Sequence, residues 1–397
     1  MYHRPTHKPS TLNHSMTPTS SLALVAALLA VPCSIAIEYT VKTCAELADV
    51  DDTLVTGLTI DSSTFACDEY TRFRVRNEMF LKATGPTVAF DNFAMKVLGE
   101  LTVEPDVTFT GVNDEVVNGG VLYVAEGATA TFLGTAVFTE NYVDNKELGG
   151  ERTGQGLSYV IKKGGAVHNK GVLSFEGDAR FDDNLTFGVQ GKGGAISNTG
   201  SGSIFFKGDL SMRGNEADGD YEGAGAAVYN RGEITVDGET RITYGWAPNG
   251  SGIYNTKIGK ITFKGMATFA HNESHNFLGG AICNRGGIVT FEAGSLFEDN
   301  FADRSHGSGD GGAGGAIFNG DGGVVTFTGP TTFKENRAYW GGAIYTSNGV
   351  GLWSFDGPAS TTIFPDDTVF IDNISENCDD VNNGDVDNGE IDGCPVV

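Results

Sequence analysis

The chain has 397 residues, of which 57 are glycine and 25 are phenylalanine, and its formal net charge is −25 at pH 7. The many large apolar side chains exclude a disordered chain in spite of the high glycine content. The negative charge argues against nucleic acid or anionic lipid as a partner, and it suits divalent cations or basic partners.

Residues 1–37 have the pattern of a secretory signal. Two basic residues precede an apolar run that ends at Val31, and residues 34–36 fit a cleavage site. The run is too short to span a bilayer comfortably, and the alternative is an uncleaved anchor. We therefore predict a secreted, extracellular or cell-surface protein with no integral membrane segment after signal removal.

Residues 38–118 are predicted to form an N-terminal cap and irregular first coils. Residues 38–43 have the composition of a first strand, and residues 44–50 have helical character suited to a cap over the open end. Residues 53–118 alternate apolar and polar side chains in short runs, which is typical of strands.

Residues 119–377 contain a hexapeptide, Gly-Gly-Ala-Ile-x-Asn or a close variant, that returns every 25 to 35 residues. Two further signatures follow most copies, first Gly-x-(Ile/Val/Leu)-x-Phe and then Phe-x-x-Asn. A period in this range is typical of repeat architectures, and each unit has short β segments between Gly or Asn turns. The clear copies start at Gly164, Gly193, Gly225, Gly250, Gly279, Gly314 and Gly341.

The alternation of side chains along these segments predicts the fold class. Successive side chains of a strand point to opposite faces, so each segment turns one apolar row inward. We predict an all-β, right-handed parallel β-helix, a solenoid with three short strands per coil, and its hand follows the rule for parallel crossovers. Phe rows are predicted inside, where neighbouring coils cover one another. The hexapeptide Asn residues are predicted to face inward and to bond the Asn of the next coil.

The paired GGAI and FxxN signatures over residues 119–373 resemble the repeats of the chlamydial polymorphic outer membrane proteins. Similar right-handed parallel β-helix repeats occur in other secreted proteins of pectin-lyase-like fold. The resemblance implies a surface-exposed passenger that functions in adhesion.

The fifth position of the hexapeptide is predicted to face outward, beside a row of Ala and Gly. This arrangement predicts a flat binding shelf with aromatic faces for sugar rings or a partner surface. The alternative is that long loops fold back over this face. The aromatic members of the predicted shelf are Tyr229, Tyr254, Phe318 and Tyr345.

Two other rows have weaker functional interpretations. Thr residues recur outward in the second segment, as in ice-binding solenoids, although ordinary β-propensity explains them. The residue before the FxxN Asn is often acidic, which predicts at most a loose association with Ca²⁺ and no other cofactor. The acidic members of this second row are Glu140, Asp183, Asp299, Glu335 and Asp372.

Cysteines and sequons predict modifications of an exported chain. Disulfides Cys44–Cys67 and Cys378–Cys394 would clamp the two ends of the solenoid, and the second would lie in the acidic tail of residues 378–397. Cys283 is left as a free thiol or an intermolecular partner, in an outward position. The sequons predict glycosylation, or reflect only the repeat consensus, at Asn184, Asn249, Asn272 and Asn373.

Two classes of function remain open. The first is a non-catalytic secreted or cell-surface protein that binds an extracellular glycan or a cell-surface protein. The alternative is a polysaccharide lyase or hydrolase of pectin-lyase-like fold. The Gly-His-Gly and Arg-x-Lys segments of such hydrolases have no clear counterpart here, so no catalytic residue is predicted and the non-catalytic class is favoured.

Overall fold

The protein is described by a computed structural model. Residues 1–36 of the predicted signal, most of the long segment 142–163, and the tail with Cys378 and Cys394 lie outside the described residues. In the described part the one helix is α1 (Cys44–Leu47), and no helix there has the length and apolar composition of a membrane span. The described residues are 37–47, 50, 52–114, 119–143, 162–188, 191–219, 223–303, 312–347 and 358–376.

The described chain is a right-handed parallel β-helix, as predicted. Each strand pairs in parallel with the strand at the same position of the neighbouring coil, so the strands form stacks. The first stack carries the hexapeptide, the second carries the Gly-x-(Ile/Val/Leu)-x-Phe segment, and the third carries the start of FxxN. Strands are numbered in chain order.

The second stack is the longest and extends to the first described residue. Its strands are β1 (Ile37–Val41), β2 (Val55–Ile60), β4 (Glu78–Ala83), β6 (Glu100–Val103), β10 (Thr129–Phe132), β14 (Val172–Phe175), β18 (Ser203–Phe206), β22 (Glu233–Val236), β26 (Lys260–Phe263), β30 (Ile288–Phe291), β34 (Val324–Phe327) and β38 (Thr361–Ile363). The N-terminal region therefore continues the same solenoid rather than forming a separate unit.

The first and third stacks are joined through two long strands of the first coils, β3 (Thr64–Val75) and β5 (Thr87–Val97). The other strands of the first stack are β9 (Leu122–Val124), β13 (Val167–Asn169), β17 (Ile196–Asn198), β21 (Val228–Asn230), β25 (Ile253–Thr256), β29 (Ile282–Arg285), β33 (Ile317–Gly320) and β37 (Ile344–Thr346). The other strands of the third stack are β7 (Asp106–Thr110), β11 (Ala136–Thr139), β15 (Ala179–Asp182), β19 (Leu210–Arg213), β23 (Thr240–Thr243), β27 (Ala267–Ala270), β31 (Ser295–Glu298), β35 (Thr331–Lys334) and β39 (Val369–Ile371).

A fourth stack follows each FxxN turn, in addition to the three predicted strands. Most of its strands have two residues, and they lie where the variable segments begin. Such a strand is too short to show a period in the sequence. The strands are β8 (Asn113–Asp114), β12 (Tyr142–Val143), β16 (Leu185–Thr186), β20 (Glu216–Ala217), β24 (Trp246–Asn249), β28 (Glu273–Leu278), β32 (Phe301–Ala302), β36 (Arg337–Ala338) and β40 (Ile374–Ser375).

Phenylalanine rings form two ladders inside the solenoid, which confirms the predicted Phe rows. In the third stack the rings of Phe269, Phe297 and Phe333 stack with centroids 5.0 and 4.9 Å apart. In the second stack Phe263 and Phe291 stack at 4.9 Å. The two ladders meet edge to face, so each ring gains both favoured aromatic geometries.

Two ladders of buried asparagines run beside the rings. In the first stack each Asn donates from Nδ2 to the Oδ1 of the next, as in the 2.9 Å bond from Asn284 to Asn319. This confirms the predicted Asn row, whose linked members are Asn169, Asn198, Asn230, Asn255, Asn284 and Asn319. The second ladder uses the FxxN asparagines, for which the sequence indicated no structural role. Its linked members are Asn141, Asn184 and Asn215, and then Asn272, Asn300, Asn336 and Asn373.

The residue before each FxxN asparagine adopts a left-handed backbone. Glu140 has φ of 53° and Gly214 has φ of 63°, and the corner turns there from the third stack into the fourth. Side chains at this corner cost conformational energy that glycine avoids. The acidic row of the sequence therefore lies on a strained ridge along the solenoid.

The coil that contains β22 and β23 interrupts three of the four ladders, namely both Phe ladders and the second Asn ladder. Ile242 and Val236 replace the two inward Phe residues, and Gly245 replaces the FxxN Asn. The backbone NH of Gly245 still donates to Oδ1 of Asn272, so the hydrogen-bond chain resumes one coil later. This coil is the one most unlike its neighbours.

A short helix and a disulfide lie at the N-terminal end of the described solenoid. Helix α1 contacts β1 and β3, and Leu47 is buried in the core. A disulfide joins Cys44 to Cys67, which confirms the first of the two predicted pairs.

Candidate functional site

The outer row of the first stack is largely buried, which corrects the predicted exposed shelf. Tyr229 and Phe318 are only 6% and 2% exposed, and Tyr254 and Tyr345 are half-buried. Their rings stack in pairs, Tyr229 on Tyr254 at 5.6 Å and Phe318 on Tyr345 at 5.7 Å. These side chains point away from the main core, as predicted, but they do not present open faces for a ligand.

Residues that precede the hexapeptide cover the C-terminal half of this row. Leu278 and Ala313 pack with Cys283 and Phe318 in a second apolar cluster, and Trp340 adjoins it. The alternation within the hexapeptide predicted only the direction of these side chains. Their burial depends on the segments that enter from the fourth stack.

Cys283 is the free cysteine of the described residues, and it is fully buried rather than exposed. Burial raises the pKa of its thiol to about 12, against the opposing effect of Arg285. Because the thiolate is the reactive form, we expect no labelling of Cys283 by iodoacetamide in the native protein at pH 8. Labelling should follow urea unfolding, and rapid labelling of the folded chain would contradict the burial.

A cluster of ring side chains, two exposed and two half-buried, lies where the ladders break, and we call it the aromatic patch. Its members are Tyr244, Trp246, His271 and His275. Tyr244 is 51% exposed and stacks on His271 with ring centroids 4.9 Å apart. Trp246 stacks on His275 at 3.9 Å. The guanidinium of Arg213 lies 5.5 Å from the centre of the Tyr244 ring.

The strained ridge, where the backbone is left-handed, positions two members of the aromatic patch. Tyr244 and His271 have φ of 57° and 56°, at the corner where Gly111 and Gly214 stand in other coils. A bulky side chain such as Tyr rarely adopts this backbone, whereas His does so more often, and such strain concentrates at functional positions. Tyr244 directly precedes Gly245, which replaces the FxxN Asn. A search of the sequence for non-Gly residues at the position before this Asn or its replacement would have found Tyr244.

Carboxylates adjoin the other half of the patch. Burial, and then the nearby charge of Asp218, raise the pKa of Glu216. Burial lowers the pKa of His275, whereas the charges of Asp218 and Asp303 oppose that shift. The corner thus combines stacked rings with carboxyl groups in a partly desolvated environment. Such an environment suits recognition of polar rings, and it is also where carboxyl groups with shifted pKa values are found.

The remaining predicted positions do not gather into sites. The described residues contain no group of three or more His, Cys, Asp or Glu side chains placed to hold a metal ion. In the acidic row, Asp299 instead bonds Nδ1 of His271 at 2.9 Å, and Glu335 pairs with Lys334.

Three of the four sequon asparagines belong to the second Asn ladder. The side-chain nitrogen of Asn272 donates to Asn300 and to the carbonyl of Ile242, and that of Asn184 is engaged in the same way. Asn184, Asn272 and Asn373 are buried, so a glycan at these nitrogens is incompatible with the ladder. Asn249 is half-buried and lies outside the ladder.

The geometry defines the chain as a β-helix repeat protein that carries the aromatic patch and the strained ridge on the sides of the solenoid. Residues 330–347 match the Chlamydia polymorphic membrane protein repeat, and the match includes Phe333, Asn336 and the hexapeptide from Gly341. This confirms the resemblance drawn from GGAI and FxxN, to a repeat of a bacterial outer-membrane and surface protein family. No curated protein and no solved structure gives a match.

Proposed function

We propose that the protein is a non-catalytic, surface-exposed binding module of the adhesion class. In this proposal the aromatic patch contacts an extracellular glycan or the glycan of a cell-surface protein. The observation that supports it is the exposed Tyr244 ring, held in a strained backbone beside stacked Trp246 and histidines. The family of the matching repeat supports a surface location.

The chemistry of the patch favours a sugar. The apolar face of a pyranose ring stacks on an aromatic face, and Tyr and Trp also offer a polar atom at the ring edge. Arg213 and Asp218 at the margins provide a donor and an acceptor for sugar hydroxyls. The signal-like N-terminus supports the proposal, because an exported chain meets the glycans of cell surfaces.

The test is a glycan-array and cell-binding assay with the double variant Tyr244→Gly, Trp246→Ala. Glycine suits the left-handed corner, so this variant removes the ring without adding backbone strain. The expected loss of binding is about tenfold, because each aromatic contact contributes roughly 0.5–1.5 kcal/mol. Unchanged binding by the double variant would refute the assignment.

The matched control is Phe187→Ala. Phe187 is 47% exposed, close to the value for Tyr244, but it lies two coils away and outside the patch. Its removal is expected to leave binding unchanged. If both variants lose binding equally, a general loss of surface aromatic area is responsible and the patch is not the site.

A polysaccharide-cleaving enzyme is the second candidate, favoured by the raised pKa of Glu216 beside Asp218. A carboxyl group whose pKa is raised is a candidate for general-acid chemistry. Incubation with polygalacturonate separates the two candidates. The binding proposal expects no shortening of the polymer, whereas shortening that Glu216→Gln abolishes, with binding retained, would establish the enzyme.

A further inference from the structure

A row of positive side chains runs along the N-terminal half of the first stack. Arg74, Lys96 and Tyr123 pair in register on adjacent strands and share the outer row with His168. Lys163 and Lys192 pair in register at the entry to the next hexapeptides. Lys170 and Arg231 occupy the same position after the inward Asn. We call these six cations the cationic lane: Arg74, Lys96, Lys163, Lys170, Lys192 and Arg231.

The stacking of coils determines the spacing of the lane. It extends over the six successive coils that contain β3, β5, β9, β13, β17 and β21. Adjacent coils are about 4.8 Å apart, so the lane is roughly 24 Å long. One positive charge recurs per coil or nearly so, parallel to the solenoid axis.

Aromatic faces hold several of these cations. The ammonium groups of Lys96 and Lys170 lie 5.4 and 5.9 Å from the centre of the Tyr123 ring. That of Lys192 lies 5.3 Å from the Tyr229 ring. A cation over a ring keeps its full charge available to a second partner.

The lane concentrates like charges. Burial, followed by the charges of Lys170, Lys192 and Arg231, lowers the pKa of Lys163. Among the described residues, no ion pair neutralises Lys96, Lys163, Lys170 or Arg231, although the whole chain carries a net charge of −25. Mutual repulsion of this kind disfavours the folded state and is relieved when an anion binds.

The floor of the lane holds polar atoms without partners. His168 and Ser197 are 1% and 0% exposed, yet His168 Nδ1 and Ser197 Oγ have no hydrogen-bond partner among the residues that the structure describes. The other ring nitrogen of His168, Nε2, lies 3.0 Å from Oγ1 of Thr199. Burial and the neighbouring lysines lower the pKa of His168 to about 3, so the ring is neutral at physiological pH. A buried polar atom left without a partner is costly, and a water molecule, an ion or a ligand group can supply the missing bond.

We propose that the cationic lane binds a linear anionic polysaccharide, carboxylated or sulfated, extended along the solenoid axis. A regular row of single charges along the solenoid axis matches a polymer with one anionic group every one or two sugars. Nucleic acid fits less well, because its denser charge is repelled by the acidic remainder of the chain. The site is separate from the aromatic patch and does not depend on it.

The test measures binding of the full chain to heparin, polygalacturonate, neutral dextran and single-stranded DNA over a range of salt concentrations. The lane variant is Lys96→Gln, Lys170→Gln, Arg231→Gln. The matched control is Lys207→Gln, Lys264→Gln, Lys334→Gln, which changes cations that pair with Glu176, Asp237 and Glu298 on other faces. Each triple variant removes three positive charges and takes the net charge from −25 to −28.

The lane variant is expected to lose roughly tenfold in affinity for heparin or polygalacturonate, since each exposed ion pair contributes up to about 1 kcal/mol. Its affinity should also depend less on salt, because fewer counterions are released. The control triple should bind as the parent does, and dextran should not bind. Tighter binding of heparin would identify a sulfated polysaccharide as the ligand, and tighter binding of polygalacturonate would identify a carboxylated one.

Three results would overturn the proposal: no binding of the parent to either anionic polysaccharide, equal weakening by the two triple variants, or tighter binding of DNA than of both polysaccharides. Equal weakening would show that net charge alone governs binding. A lane variant that retains the parent's thermal unfolding midpoint excludes misfolding as the cause of a loss. Because Tyr244→Gly, Trp246→Ala leaves the lane intact, failure of the aromatic patch and failure of the lane are distinguishable.

Discussion

Replacement of Phe297 by alanine is expected to lower the free energy of unfolding by about 3–5 kcal/mol. Phe297 is fully buried and stacks between Phe269 and Phe333, and its edge meets Phe291. Truncation removes the apolar area and leaves a cavity that the rigid strands on either side cannot fill by collapse. Because the ring serves three coils, its loss weakens the interfaces on both sides of the substituted coil.

Urea unfolding followed by far-UV circular dichroism measures this effect. The matched control is Leu296→Ala in the same strand, because Leu296 points outward and is half-buried. The control is expected to cost less than about 1 kcal/mol. Similar losses for the two variants would show that the alternation of faces in β31 is not as described, and a loss below 1 kcal/mol for Phe297→Ala would contradict a tightly packed ladder.

Replacement of Asn300 by alanine is expected to cost about 2–4 kcal/mol. The Asn300 amide donates to Oδ1 of Asn336 at 2.9 Å and to the carbonyl of Phe269 at 3.0 Å. Its Oδ1 accepts from both the backbone NH and the Nδ2 of Asn272. Alanine leaves these buried partners unsatisfied, and each unsatisfied group costs roughly 1–3 kcal/mol, less where a neighbour or water compensates.

Asn77→Ala is the control for the ladder. Asn77 is exposed and donates to the carbonyl of Thr53 at 2.7 Å, so it has a comparable bond without burial. Its loss is expected to change the urea midpoint by no more than the equivalent of about 1 kcal/mol. If Asn300→Ala is no more destabilising than Asn77→Ala, water replaces the amide and the ladder is not a source of stability.

The Asn ladders also explain why the same residues look like modification sites in the sequence. An Asn before x-Ser or x-Thr fits a sequon, and the FxxN signature supplies the Asn in three of the four cases. The structure uses the amides of Asn184, Asn272 and Asn373 internally, where both the donor and the acceptor are occupied. Sequence alone does not separate the two roles, because both require only the residue type.

Local sequence determined the repeat, the parallel solenoid and the identity of its inner rows. The period of 25 to 35 residues and the alternation within each segment are properties of neighbouring residues, and alternation decides which side chains face inward. Phe297 and Asn284 are therefore placed correctly by their positions in the repeat. The N-terminal helix and the Cys44–Cys67 disulfide were also predictable, because their residues lie close together in the chain.

Only the tertiary structure decided what the outer surface offers. Tyr229 and Cys283 point outward as the alternation indicates, but both are buried. Cys283 is covered by Leu278 and Ala313, from segments that enter from another stack. The aromatic patch joins Tyr244 to His271, and the cationic lane joins Lys96 to Arg231, through coils stacked side by side. Exposure and proximity across coils depend on how the variable segments return the chain to each stack, and those segments follow no period. The repeat therefore determines the inside of the solenoid, whereas its stacking and insertions determine its surface.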